Sequence, residues 1–264
     1  MTRQRDAGQP GRGPTRLRDM ALVLGAAVIF LVGWKLIVII GGYPAFILPA
    51  PEVVGERFLR AWAQGVIAPH AVTTLAEITL GFVTGAGLAV MAGYALARSR
   101  LAERVLSPYL VAAQATPILA LAPLIALWFG SGLTSKVLIC ALIVFFPVAV
   151  STMVGIRSVD AGLLELGRSL RATRWQVVTR LEVPAALPQI LGGMRVGVTL
   201  AVVGAIVGEW AGGDRGLGVL INLARGSLFD IPLMFATLLT IALIGLSLYL
   251  IVVIVERRLV GAGW

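Results

Sequence analysis

The sequence holds one cysteine, Cys140, and one histidine, His70. A lone cysteine excludes an intrachain disulfide framework. Its apolar setting, LICALIV, reads as a place for a small packing residue. A lone histidine excludes the multi-histidine zinc sites of metallohydrolases. Lysine is nearly as scarce, with only Lys35 and Lys136. Neither follows a glycine in the frame G-x-x-x-x-G-K-[ST], so the phosphate-cradling loop of that type is absent. Charge is also low. Charged residues make up 13% of the chain and apolar ones 58%, against about a quarter charged in soluble domains. Such a composition belongs to a polytopic membrane protein. The net charge of +9 does not argue for nucleic acid, because the basic residues cluster beside apolar runs.

Six apolar runs are long enough to predict membrane-spanning helices, at 20–40, 75–97, 105–129, 137–154, 185–211 and 233–255. The fold class expected is therefore all-α, with a bundle of six transmembrane helices over 20–258. Residues 1–19, rich in Arg, Gly and Pro, read as a disordered basic tail. Residues 259–264 form a short second tail. The first run lacks a small-residue cleavage site and is read as a span rather than a signal peptide. Between the first two runs, Pro51 suits the first turn of a helix, and Val54, Phe58 and Trp62 make a stripe at four-residue spacing. His70 is placed in the turn after that helix, where solvation is the ordinary state. Basic residues orient the bundle. Fifteen lie in the first tail, the loop after run two, the segment between runs four and five and the residues just after run six, against five in the alternate segments. The excess marks the cytoplasmic side, so both termini are expected there.

The longest polar interruption falls in the loop 156–184, and the stretch around it reads DAGLLELGRSLRATRWQVVTRLEVPAALP from Asp160 to Pro188. Leu163, Leu166 and Leu170 fall at i, i+3 and i+7, the spacing of one helical stripe. Thr173 and Gln176 have the spacing of a capping box, so a second helix is predicted after Thr173. Trp175, Val178 and Leu181 form its stripe, and Pro184 is predicted to end it. An amphipathic basic hairpin of this kind suits either the lipid headgroup layer or a groove on a soluble partner.

The hairpin resembles the EAA loop of ABC-importer permeases, in which Glu-Ala-Ala is followed by three residues, Gly, nine residues and Ile-x-Leu-Pro. Glu165 stands at the Glu and Pro184 at the Pro, with Leu166 and Gly167 for the two Ala, and Leu181 and Val183 for Ile and Leu. Arg171 replaces the Gly. Glycine at such a turn supplies positive φ, which arginine tolerates poorly, so either the turn has another shape or Arg171 makes a contact of its own. The segments LPAPEVV, LAPLIALWFG, FFPVAV, RSVDAGLLELGRSL, RWQ, VPAALP and GLG follow in the order of the nitrate, sulfonate, taurine and thiamin-precursor branch. The resemblance implies a type I permease fold in a bacterial inner membrane. It implies a homodimer or a similar second permease, a cytoplasmic ATPase pair that holds ATP and Mg, and an extracytoplasmic solute-binding protein. Glu165, Leu166, Gly167, Leu170, Arg171, Arg174 and Pro184 would couple to the ATPase. This chain itself would hold no cofactor. The wording of VAAQATPILALAP, TLAEITLGF and VTLAVVGAIVGEWAGG is similar to permeases for pyrimidine thiamin precursors or riboflavin, with sulfonate, taurine or nitrate as the alternative.

Polar residues inside the runs are few. Gln114, Thr116 and Pro117 interrupt the third run, either to touch solute or to hold helices together. Glu77 and Glu209 are placed toward the outer ends of their runs, as pathway carboxylates or as hydrated helix ends. Trp210 reads as an interface anchor. Gly81 and Gly85 have the small-xxx-small spacing of close helix packing. An intramembrane enzyme or a scaffold is the different class of reading, and an enzyme needs convergent catalytic groups that one His, one Cys and scattered carboxylates do not provide.

Overall fold

The computed structural model describes residues 15–261, and every regular element among them is helical. The first, α1 (Thr15–Gly41), takes in the end of the segment expected to be a tail, while residues 1–14 lie outside the described residues. Its apolar stretch Met20–Gly41 has no buried residue. A helix that is apolar all round and unburied by protein is one that lipid can bathe. It touches the rest through Trp34, whose ring lies 5.8 Å from that of Phe235, and through a 3.1 Å ion pair between Lys35 and Glu52. A bond from its own backbone, and then Lys35, hold the Glu52 carboxyl below its usual range.

Glu52 opens α2 (Pro51–Ala63), which begins at Pro51 as expected, because proline presets φ and its missing N–H is not needed there. Val54 and Ala61 turn inward. Three long helices then make the core: α3 (Ala68–Arg98), α6 (Leu133–Arg157) and α9 (Val183–Gly212). Ile78, Val144, Val148 and Ala201 meet between them. Small residues set how close they come. A Cβ on Gly85 would sit 2.6 Å from the Ala141 carbonyl oxygen, and one on Gly81 would overlap Cys140. Cys140 is fully buried there.

The run 105–129, expected as one span, is two helices, α4 (Arg100–Ala115) and α5 (Ile118–Phe129). Pro117 is the reason. It gives no N–H to α4, biases Thr116 away from helical geometry, and stands extended (φ −66°, ψ 108°) as the cap of α5. By length and composition, five helices among the described residues can cross a membrane: α1, α3, α6, the helix from Arg174 to Gly212, and Ile231–Gly261. The span expected at 75–97 begins earlier, at Ala68, so His70 lies in the first turn of α3 and not in a loop.

The polar hairpin forms α7 (Ala161–Ser169) and α8 (Arg174–Val177). Pro184 does not end the second helix. The chain passes through a π turn, Val178–Glu182, straight into α9. Proline has no N–H to donate to the carbonyl four residues back. The preceding N–H, of Val183, reaches five residues back to Val178, and the widened turn accommodates the ring. Beyond α9, the segment 212–232 contains α10 (Leu217–Gly226), and α11 (Ile231–Gly261) closes the described chain. Ala61, Ile67, Leu217, Leu220, Leu233 and Ala236 bind α2, α10 and the start of α11 into one apolar cap. Arg195, a charge inside the fifth run, is matched by Glu256 of α11 at 3.0 Å.

Candidate functional site

Two polar constructions stand at opposite ends of α9. The first is the hairpin. Asp160 caps α7 by accepting from the Leu163 N–H at 3.2 Å. Both halves of the predicted capping box are present: Thr173 Oγ1 accepts from the Gln176 N–H at 3.3 Å, and Gln176 Oε1 accepts from the Thr173 N–H at 2.8 Å. Between the helices, Arg171 has φ +52°. Its N–H donates to the Arg168 carbonyl at 3.0 Å, and the Ala172 N–H donates to the Gly167 carbonyl at 2.9 Å. These two bonds define a Schellman turn with arginine in the left-handed position. The turn thus has the shape that glycine favours, held by arginine at a cost of about 1–2 kcal/mol.

Gly167 is buried, and a Cβ there would come within 2.8 Å of Leu181 Cδ1, so the two hairpin helices approach through it. The leucine stripe is not part of that packing. Leu163, Leu166 and Leu170 are exposed by 40%, 53% and 73%, and Trp175 by 75%. Four large apolar side chains left open beside exposed Glu165, Arg171 and Arg174 form an unpartnered patch on the single chain. Pro184 is also exposed. Behind the patch, the hairpin is fastened to α3. Glu182, 2% exposed, accepts from Arg98 Nη2 and from the Tyr94 hydroxyl, each at 3.1 Å. Sequence reasoning missed this tie.

The second construction lies at the other end, under α10. Glu77 and Glu209, read from the sequence as helix-end carboxylates, are 0% and 2% exposed. Hydration therefore does not explain them. Lys136 of α6, itself 5% exposed, faces Glu77 at 3.1 Å. Glu209 of α9 accepts from Thr74 Oγ1 and from the Gly218 N–H, both at 2.5 Å. Thr74 Oγ1 accepts in turn from the Leu217 N–H at 2.8 Å, and His70 Nδ1 from the Gly216 N–H at 3.1 Å. The first free N–H groups of α10 are thus capped from outside, by one side chain each from α3, α3 and α9. A carboxylate there also meets the positive end of the helix dipole. Gly216, at φ +137°, lies against the Glu209 carboxylate, and a Cβ would overlap it. The Trp210 indole N–H donates to the Gly218 carbonyl at 3.0 Å, which gives that ring a structural partner.

Sequence reasoning named Glu77, Glu209 and the GLG segment, and missed Thr74 and Lys136. One signal was available. His70, Thr74 and Glu77 fall at i, i+4 and i+7, a polar stripe on one face of α3. The three residues named in the third run are not brought to this cluster. Thr116 is exposed and donates to its own helix, at the Ala112 carbonyl (3.1 Å). Pro117 is exposed at the α4–α5 break. The Gln114 side chain lies outside the described ones. Among the described residues no group of three or more metal-binding side chains converges.

Known proteins place this arrangement. Residues 85–261 match the family described as "Binding-protein-dependent transport system inner membrane component". The riboflavin transport system permease protein RibX of Chloroflexus aurantiacus is 48% identical over 88% of this chain and 87% of its own. The formylaminopyrimidine transport permease protein ThiX of Halalkalibacterium halodurans is 35% identical over 83% and 86%. A chain of the MetNI methionine ABC transporter in an inward-facing crystal form superposes with a TM-score of 0.65. It is 19% identical and covers 75% of this chain and 97% of that one, a likeness of fold.

Proposed function

This chain belongs to the family of binding-protein-dependent transport system inner membrane components, and from that premise we propose that it imports a riboflavin-like or pyrimidine heterocycle. It is the permease subunit of an ABC importer. The observation that carries the substrate is the 48% identity to a riboflavin permease along nearly the whole chain.

The hairpin end is the cytoplasmic side, as the basic excess indicates, and α10 lies outside. The pair α4 and α5 together makes the sixth crossing. An ATPase pair seats on the open patch of Leu163, Leu166, Leu170 and Trp175, with Glu165, Arg171 and Arg174 as polar contacts. ATP and Mg are held by that pair. A second permease copy completes the pathway, lipid surrounds α1, and an extracytoplasmic binding protein delivers solute. Closure of the ATPases displaces the hairpin. The hairpin is continuous with α9 through the π turn and is tied to α3 through Glu182 and Arg98. Its displacement therefore reaches two core helices, and alternating access follows from a bistable bundle.

The test is uptake in a bacterium that cannot make riboflavin, carrying this permease with its partner ATPase and binding protein. Labelled riboflavin or formylaminopyrimidine should enter in an ATP-dependent way. Uptake of taurine or an alkyl sulfonate instead, with neither heterocycle transported, would overturn the substrate assignment. A reporter fused near Arg171 should lie in the cytoplasm and one near Gly213 outside.

A further inference from the structure

A cavity of about 710 Å³ opens between the hairpin and the end of α3. Tyr94, Arg98, Arg168, Arg174, Trp175 and Glu182 supply its polar and aromatic lining. Three of these groups are cationic and one is anionic. The anion is already committed, since Glu182 pairs with Arg98. Arg168 and Arg174 have no carboxylate partner among the described residues. Two guanidinium groups without a carboxylate partner therefore line one open cavity, which calls for an anion. Guanidinium matches phosphate oxygens in a two-pronged geometry that an ammonium cannot offer.

Depth selects the source of that phosphate. Arg98 is the last residue of α3, and Tyr94 lies one turn above it. The mouth is therefore level with the end of a span, where lipid headgroups lie. A tyrosine and a tryptophan beside it are the side chains that favour this layer. Basic pockets against the cytoplasmic ends of spans take anionic headgroups.

The cavity also lies on a different flank from the open leucine patch. At about 100° per residue, Leu164 and Arg168 project about 150° around α7 from the centre of Leu163, Leu166 and Leu170. A ligand held by Arg168 leaves that leucine stripe free, and the cavity shares Arg174 and Trp175 with the seat proposed for the ATPase. We propose that this cavity binds the phosphate of an anionic phospholipid of the inner leaflet, bridging the end of α3 to the hairpin. The lipid steadies the hairpin in the position that receives the partner.

The test uses the whole transporter, with ATPase and binding protein, in nanodiscs of phosphatidylcholine containing increasing phosphatidylglycerol. Native mass spectrometry of the released complex should find phosphatidylglycerol retained in preference to phosphatidylcholine, one per permease copy. Arg168→Gln with Arg174→Gln should remove it. The phosphatidylglycerol fraction giving half-maximal stimulated ATPase activity should rise about thirtyfold or saturate out of reach, as the loss of two interfacial arginines predicts. No retention by the unmodified protein would overturn the proposal, whatever the variants do. Inorganic phosphate restoring full activity in pure phosphatidylcholine would assign the site to a soluble anion and also overturn it. Loss of the ATPase subunit from the double variant, with phosphatidylglycerol still bound, would assign the arginines to the protein interface instead.

Discussion

Replacing Arg171 by glycine separates a backbone cost from a side-chain contact. Arg171 holds φ +52° in a Schellman turn closed by two backbone bonds of 3.0 and 2.9 Å. Left-handed geometry costs an L-residue about 1–2 kcal/mol, which glycine escapes. Glycine in turn loses about 0.5–1 kcal/mol through the greater freedom of the unfolded chain. The balance favours Arg171→Gly by about 0.5–1 kcal/mol locally, or about a two- to fivefold gain in amide-exchange protection. Alanine is the control, because it keeps the strained backbone and removes the guanidinium. Exchange of the Ala172 amide should slow in Arg171→Gly and stay near the original in Arg171→Ala. We expect both variants to lower ATP-driven uptake, because the exposed guanidinium is read here as a contact with the ATPase. Faster exchange in the glycine variant would refute the turn geometry. Full uptake in both variants would refute the contact.

Glu165→Lys reverses an exposed charge on the proposed seat. Uptake and binding-protein-stimulated ATPase activity should both fall sharply while the permease still inserts and dimerises, and unimpaired coupling would remove Glu165 from that role. Lys136→Met leaves a buried carboxylate without its 3.1 Å partner and should destabilise the protein by about 3–5 kcal/mol. Adding Glu77→Gln should recover much of that loss in thermal unfolding, and a loss below about 1 kcal/mol in the single variant would show that the pair is not sealed from solvent. Thr74→Ala removes the acceptor for the Leu217 N–H and one donor to Glu209. It should loosen α10, seen as faster amide exchange over 216–220, by about 1–3 kcal/mol. Glu209→Gln should lower uptake while leaving assembly intact, and unchanged uptake across substrate concentrations would confine Glu209 to capping.

The sequence by itself determined what depends on composition and on neighbours a few residues apart. Scarce charge and long apolar runs gave a helical membrane bundle. Thr173 and Gln176, three residues apart, gave the capping box, and Pro51 gave the start of α2. Pro117 interrupted the third run on the page as it does in space. Tertiary structure decided the rest, because the partners are far apart in the chain. Thr74 meets Glu209 across 135 positions, and His70 meets Gly216 across 146. No local pattern says that α10 folds back over these helix ends and seals their carboxylates from water. Arg171 shows the same division. The sequence showed a residue unsuited to a glycine turn, and only the closed backbone bonds decided that the turn persists. On sequence alone Pro184 reads as a helix end because it lacks an N–H. The π turn before it and the packing of α9 against α3 and α6 kept the helix continuous, since burial along a long helix outweighs one missing hydrogen bond.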